Sequence, residues 1–79
     1  MFRQAKYIIT ENYEIITFSE TIQHKEFKHY KPRSAGFISF GVDSKGEVTC
    51  HCYGRSVSLD LDSSPNDGMI AERQLGIIT

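Results

Sequence analysis

The strongest constraint on this chain is the alternation of apolar and polar residues from Ser34 to Leu61, SAGFISFGVDSKGEVTCHCYGRSVSLDL. Gly36, Ile38, Phe40 and Val42 share one parity, and Phe37, Ser39 and Gly41 the other. Asp43-Ser44-Lys45-Gly46 follows, with Gly46 suited to the positive φ of a four-residue hairpin loop. From Glu47 to Tyr53, Val48, Cys50 and Cys52 alternate with Thr49, His51 and Tyr53. Past a tight turn at Gly54-Arg55, Val57, Leu59 and Leu61 alternate with Ser56, Ser58 and Asp60. Successive strand residues point to opposite faces, so this pattern predicts three antiparallel strands with one dry and one wet face. A parallel sheet would need both faces covered.

Ahead of this meander, Lys6 to Thr10 and Glu14 to Phe18 are β-prone runs separated by Glu11-Asn12-Tyr13. Asn12 tolerates the left-handed conformation, which predicts a hairpin. Tyr7, Ile8 and Ile9, then Ile15 and Ile16, are apolar at consecutive positions. Such strands are buried on both sides or give one face to a partner, which makes Ile8 and Ile15 interface candidates.

Ser19 is expected to cap a helix from about Glu20 to Tyr30, ended by Pro32. An α-helical wheel turns Ile22, Phe27 and Tyr30 toward the sheet. Glu26 falls inside that arc, either at its rim or buried against Arg55 or Arg73. The back is basic, with His24, Lys25, Lys28 and His29, and Lys31 and Arg33 just beyond. Ser64-Pro65-Asn66-Asp67 is a second start signal: Ser64 as N-cap, Pro65 in the first turn, Asp67 completing a capping box. That helix should run to about Leu75 and stop at Gly76. The tail, Ile77-Ile78-Thr79, repeats the Ile-Ile-Thr of Ile8 to Thr10 and Ile15 to Thr17, and makes Ile77 and Ile78 further interface candidates. The expected fold is α+β: a small antiparallel sheet in the order β-β-α-β-β-β-α, both helices on one face, the tail free to add a strand.

With 79 residues the chain is a single domain, 1–79, near the lower limit for a self-sufficient core. At roughly 0.1 kcal/mol per residue its stability is on the order of 8 kcal/mol, so association would be a useful staple. Cys50 and Cys52 are too few for a disulfide framework, and at ~6.6 Å along one strand they are poorly placed to bridge. Reduced core thiols fit a cytoplasmic protein. The net charge of −1 sets up no field for nucleic acid or an anionic membrane, and neither is expected as a partner. The start, Met1 to Lys6, has no secretory apolar core, and no apolar run reaches membrane-spanning length.

No motif names a reaction. Cys50, His51 and Cys52 cannot chelate one metal from one strand, because His51 points away from both thiols; a zinc site would need His24 or His29 from the helix. The cysteines share the dry face with Val48, which favours inert packing over nucleophile chemistry. Asp60 and Asp62 read as a solvated edge rather than an acid–base pair. No cofactor is implied. One ligand constellation can be drawn: Arg33 and Ser34 before the sheet, with Tyr53 and Arg55 at the neighbouring turn, holding a small anion such as a nucleotide. The leading expectation is a small non-enzymatic interaction module, homo-oligomeric and of accessory or inhibitor type, that engages a protein partner. Sequestering a nucleotide-like anion is the alternative, with a cysteine- or metal-dependent enzyme a distant third.

Overall fold

Gly36 marks the tightest point of the architecture: a Cβ built there would lie 2.5 Å from the backbone oxygen of Tyr53. Only glycine lets the strands close up at this crossing. A computed structural model describes residues 3–75 of the chain. Four strands form one antiparallel sheet: β1 (Arg3–Ile9), β2 (Ile15–Phe18), β3 (Ser34–Val42) and β4 (Val48–Tyr53), in the order β2-β1-β3-β4. The N-terminal hairpin and the first two strands of the meander thus belong to one sheet, joined where Tyr7 faces Gly36 and Ile8 faces Ala35. The β3–β4 loop turns on Gly46 at φ +81°, in the positive-φ conformation expected there.

Alternation then sorts the two faces. Tyr7, Ile9 and Ile38 pack with Ala71 of α1 (Asp67–Gln74), and Phe40, Cys50 and Cys52 lean against that cluster. On the other face Phe18, Lys6, Phe37 and Tyr53 are cross-strand neighbours. A 3₁₀ helix (His24–Tyr30) covers part of that second face through His24, whose ring meets the rings of Phe18 and Phe37 edge-on. The two helices therefore take opposite faces, not one. This explains the consecutive apolar residues of β1: Tyr7, Ile8 and Ile9 are 0 %, 0 % and 1 % exposed, buried on both sides within the chain itself. Each buried isoleucine contributes about 1.5–3 kcal/mol.

Three local expectations give way to side-chain chemistry. Ser19 does not cap a helix: its Oγ accepts the Thr21 N–H at 3.2 Å in a turn, and the helix starts five residues later as a 3₁₀ helix with Gln23 as its N-cap. Glu26 is exposed on it. The third strand of the meander is absent as drawn. Two-residue strands β5 (Arg55–Ser56) and β6 (Leu61–Asp62) pair with each other instead, and Val57, 82 % exposed, sits in their connecting turn. Ser56 Oγ accepts the Leu59 N–H at 3.2 Å, and Arg55 reaches Asp60 at 2.6 Å and Asp62 at 3.5 Å, so local bonds outcompete the ladder. Helix α1 begins at Asp67 rather than after Ser64, yet the reciprocal capping bond exists, with the Ser64 N–H donating to Asp67 Oδ2 at 2.9 Å. The tail from Gly76 lies outside the described residues.

Candidate functional site

Three residues per turn bring every third side chain of a 3₁₀ helix into line. In His24–Tyr30 this gathers His24, Phe27 and Tyr30 into one row, and Lys25 and Lys28 into the next, continued by Lys31 at the C-cap. An α-helical wheel keeps the lysines together but sets His24 on the back, apart from Phe27 and Tyr30. The run is seven residues long, where 3₁₀ segments beyond 3–4 residues are uncommon, and it ends on Lys31 at φ 52°, a strained value for a non-glycine residue.

The aromatic row continues onto the sheet. His51 and Tyr53 on β4 lie 5.5 Å apart with ring planes 15° from parallel, and Tyr53 and Phe37 lie 6.0 Å apart at 25°. Phe37 meets His24 at 6.0 Å, and His24 meets Phe18 at 5.4 Å, both edge to face. Phe18 stacks on Phe27 at 4.2 Å, Phe27 lies 6.2 Å from Tyr30, and Tyr30 lies 4.3 Å from His29. The result is one unbroken track of eight rings from the β4 edge to the end of the 3₁₀ helix. It contains all three histidines of the chain.

His24 is the pivot of the track. Its Nε2 lies 2.9 Å from the Gly36 carbonyl, which can only accept, so Nε2 carries the proton. Burial lowers its pKa below the ordinary 6.5, the Gly36 bond opposes that, and the Lys6 charge adds to it. At 5 % exposure and neutral, His24 is not part of a basic surface, contrary to the wheel-based expectation. Lys25, Lys28 and Lys31 are exposed and form that surface among the described residues.

The opposite face holds a buried polar centre. The carboxyl group of Asp67, 2 % exposed, accepts three hydrogen bonds: from Tyr7 Oη at 2.5 Å, from Ser34 Oγ at 2.9 Å and from the Ser64 N–H at 2.9 Å. Burial, then the Asp67 contact, raises the Tyr7 pKa far above its ordinary range. Burial also pushes the neighbouring Cys52 thiol up to about 12, with the Cys50 and Asp67 charges adding, and it raises Cys50 as well. Tyr7, Cys50 and Cys52 stay protonated at neutral pH, and the bonds that converge on Asp67 describe a structural clasp.

The four ligand candidates are not brought to one cleft. Arg33 lies over the Tyr13 ring at 4.3 Å and, with Ser34 and Asp67, lines a cleft of about 210 Å³ beside α1. Arg55 lines a separate cleft of about 310 Å³ with Lys6, His24 and Phe37, and its charge is matched by Asp60 and Asp62. Tyr53 belongs to the ring track. Of the interface candidates, Ile8 is fully enclosed and has no surface left for a partner, Ile15 is half-buried beside the core, and Ile77 and Ile78 lie outside the described residues. Among the described residues, no three His, Cys, Asp or Glu side chains converge as metal ligands, and no helix is long and apolar enough to cross a membrane.

Compared with known proteins, the chain matches no family model, no curated protein and no solved structure.

Sequence reasoning missed both centres. The signal for the track was the three-residue spacing of His24, Phe27 and Tyr30, legible only once the helix is taken as 3₁₀. The signal for the clasp was a tyrosine placed among consecutive isoleucines, opposite a capping-box aspartate.

Proposed function

We propose that this chain is a small non-enzymatic binding module that associates with a second copy of itself along the open edge of β4. The observation that carries this reading is the edge itself. Val48–Tyr53 runs six residues with no proline and no charged side chain, the usual guards of an exposed edge. No hydrogen bond reaches its outer side among the described residues. Val42 and Val48, a cross-strand pair 58 % and 47 % exposed, extend the apolar surface at its end. The other edge is guarded: β2 is four residues long, and the Gln74 side chain of α1 accepts the Ile15 N–H at 2.8 Å and donates to the Tyr13 carbonyl.

Pairing β4 with its twofold mate would continue the sheet across the dimer and place no like charges opposite each other. The groups with reactive chemistry, Tyr7, Cys50 and Cys52, are held protonated in the core, which favours association over catalysis. The partner-facing residues of this reading are Val42, Val48 and Thr49, in place of Ile8. Light scattering on the purified chain at high micromolar concentration tests it. Twice the chain mass is expected, falling to one chain for Thr49→Lys; a monomer throughout removes the reading.

A further inference from the structure

We propose that the eight-ring track and the lysine row beside it bind single-stranded nucleic acid, bases stacking on the rings and phosphates lying along Lys25, Lys28 and Lys31. The inference is independent of the β4 pairing, because it uses a face of the sheet and the 3₁₀ helix rather than the edge.

Three observations carry it. The first is the number of rings: His51, Tyr53 and Phe37 on the sheet and Phe27, Tyr30 and His29 on the helix form two accessible groups, joined through buried His24 and half-buried Phe18, where a mononucleotide pocket needs one or two. His51, Tyr30 and His29 are exposed, and Phe27, Phe37 and Tyr53 partly so. The second is the neighbouring charge. Lys25 and Lys28 fall in one row by 3₁₀ geometry, Lys31 follows at the left-handed C-cap, and among the described residues none of the three makes an ion pair.

The third is the balance of charge along the helix. Glu26 is the one carboxylate among Lys25, Lys28 and Lys31, and Asp60, which shares a cleft with Lys28 and Lys31, is bound to Arg55. The net charge of −1 is therefore spread unevenly, with a local excess of positive charge beside the rings. Aromatic platforms on sheet faces bordered by cations suit unpaired strands, whose bases can splay out, and not a duplex whose bases are stacked inward.

The test is fluorescence anisotropy of a labelled mixed-sequence DNA 12-mer, single-stranded and then annealed, titrated with the intact chain at low salt. Saturable binding of the single strand, weaker for the duplex, is expected. Tyr30→Ala and Tyr53→Ala should each weaken it about 5- to 100-fold, the range for loss of one stacked base. Tyr30→Phe should keep most of the affinity. The triple change of Lys25, Lys28 and Lys31 to alanine should flatten the dependence of log K on log salt by about 2. Circular dichroism of each variant separates lost binding from lost fold, and Tyr30, 43 % exposed, is the variant least coupled to folding. No binding, equal binding of duplex, equal competition by AMP, or indifference to both alanine substitutions overturns the proposal. Val48→Lys, at the β4 edge but on the sheet face away from the rings, should bind as the native chain does.

Discussion

The Tyr7 hydroxyl donates to Oδ2 of Asp67 across 2.5 Å, tying the central strand to the first turn of α1 over sixty positions of sequence. This bond is what makes a buried carboxyl group tolerable in so small a core. Together with Ser34 and the Ser64 backbone it gives both oxygens of Asp67 a donor, from three separate segments.

Breaking it from either end should have unequal cost. Tyr7→Phe leaves Asp67 two donors and is expected to destabilise by about 1–2 kcal/mol, whereas Asp67→Ala strands Tyr7 and Ser34 and should cost about 2–4 kcal/mol. Urea unfolding of both variants measures the difference. Equal costs would mean that the clasp is not centred on the aspartate.

Stability should fall on acidification. His24 is buried neutral with a pKa lowered from 6.5, so the unfolded chain takes up a proton first as the pH drops. The stability contribution of the neutral ring is complete above pH 6.5 and is lost as the pH falls toward the folded value. His24→Phe should be less stable at neutral pH, having lost the bond to Gly36, but should show a flatter melting temperature as the pH falls below 6.5.

The alkaline limb has the opposite sign. The Cys52 pKa rises from 9.0 to about 12 in the folded chain, so the unfolded state releases its proton first and stability declines as the pH climbs above 9.0. Cys52→Ala should reduce that slope. In the native chain both thiols should react slowly with a thiol reagent at pH 8, and at the rate of a free thiol in denaturant. Fast native reaction would place Cys50 or Cys52 in an open site instead.

Two glycines on one strand should respond differently to alanine. At Gly36 the new methyl would sit 2.5 Å from the Tyr53 carbonyl oxygen, and overpacking of that kind costs about 1–3 kcal/mol or more. At Gly41 the nearest atom, Thr49 Oγ1, is 3.8 Å away, and the change should be neutral or slightly stabilising. Thermal melts of the pair decide it.

What could be read from the sequence was what depended on pattern. The parity of Ile38, Phe40, Cys50 and Cys52 placed them on one face, and Asp43 to Gly46 placed the hairpin, because both follow from backbone geometry that neighbouring residues cannot easily override. The alternation from Ser56 to Leu61 was equally regular and still misleading. There Ser56 Oγ and the Arg55–Asp60–Asp62 cluster offered the backbone a turn, an energy that hydrophobic periodicity does not register. The assignment of His24 to the basic back failed for a related reason: it was made with an angle of 100°, and the chain adopts 120°, which turns His24 onto the sheet while Lys25, Lys28 and His29 stay exposed. The clasp joins residues sixty apart, and no local pattern encodes such a pairing.

The association reading stands or falls on the outer side of β4. Amide hydrogen exchange of Val48–Tyr53, followed by NMR over a range of protein concentrations, addresses it directly. Exchange at alternate β4 amides should slow steeply as concentration rises, with Ile15–Phe18 unaffected and Thr49→Lys abolishing the effect. Rates that are the same at every concentration would contradict the account, and the edge would then have to be regarded as open to solvent.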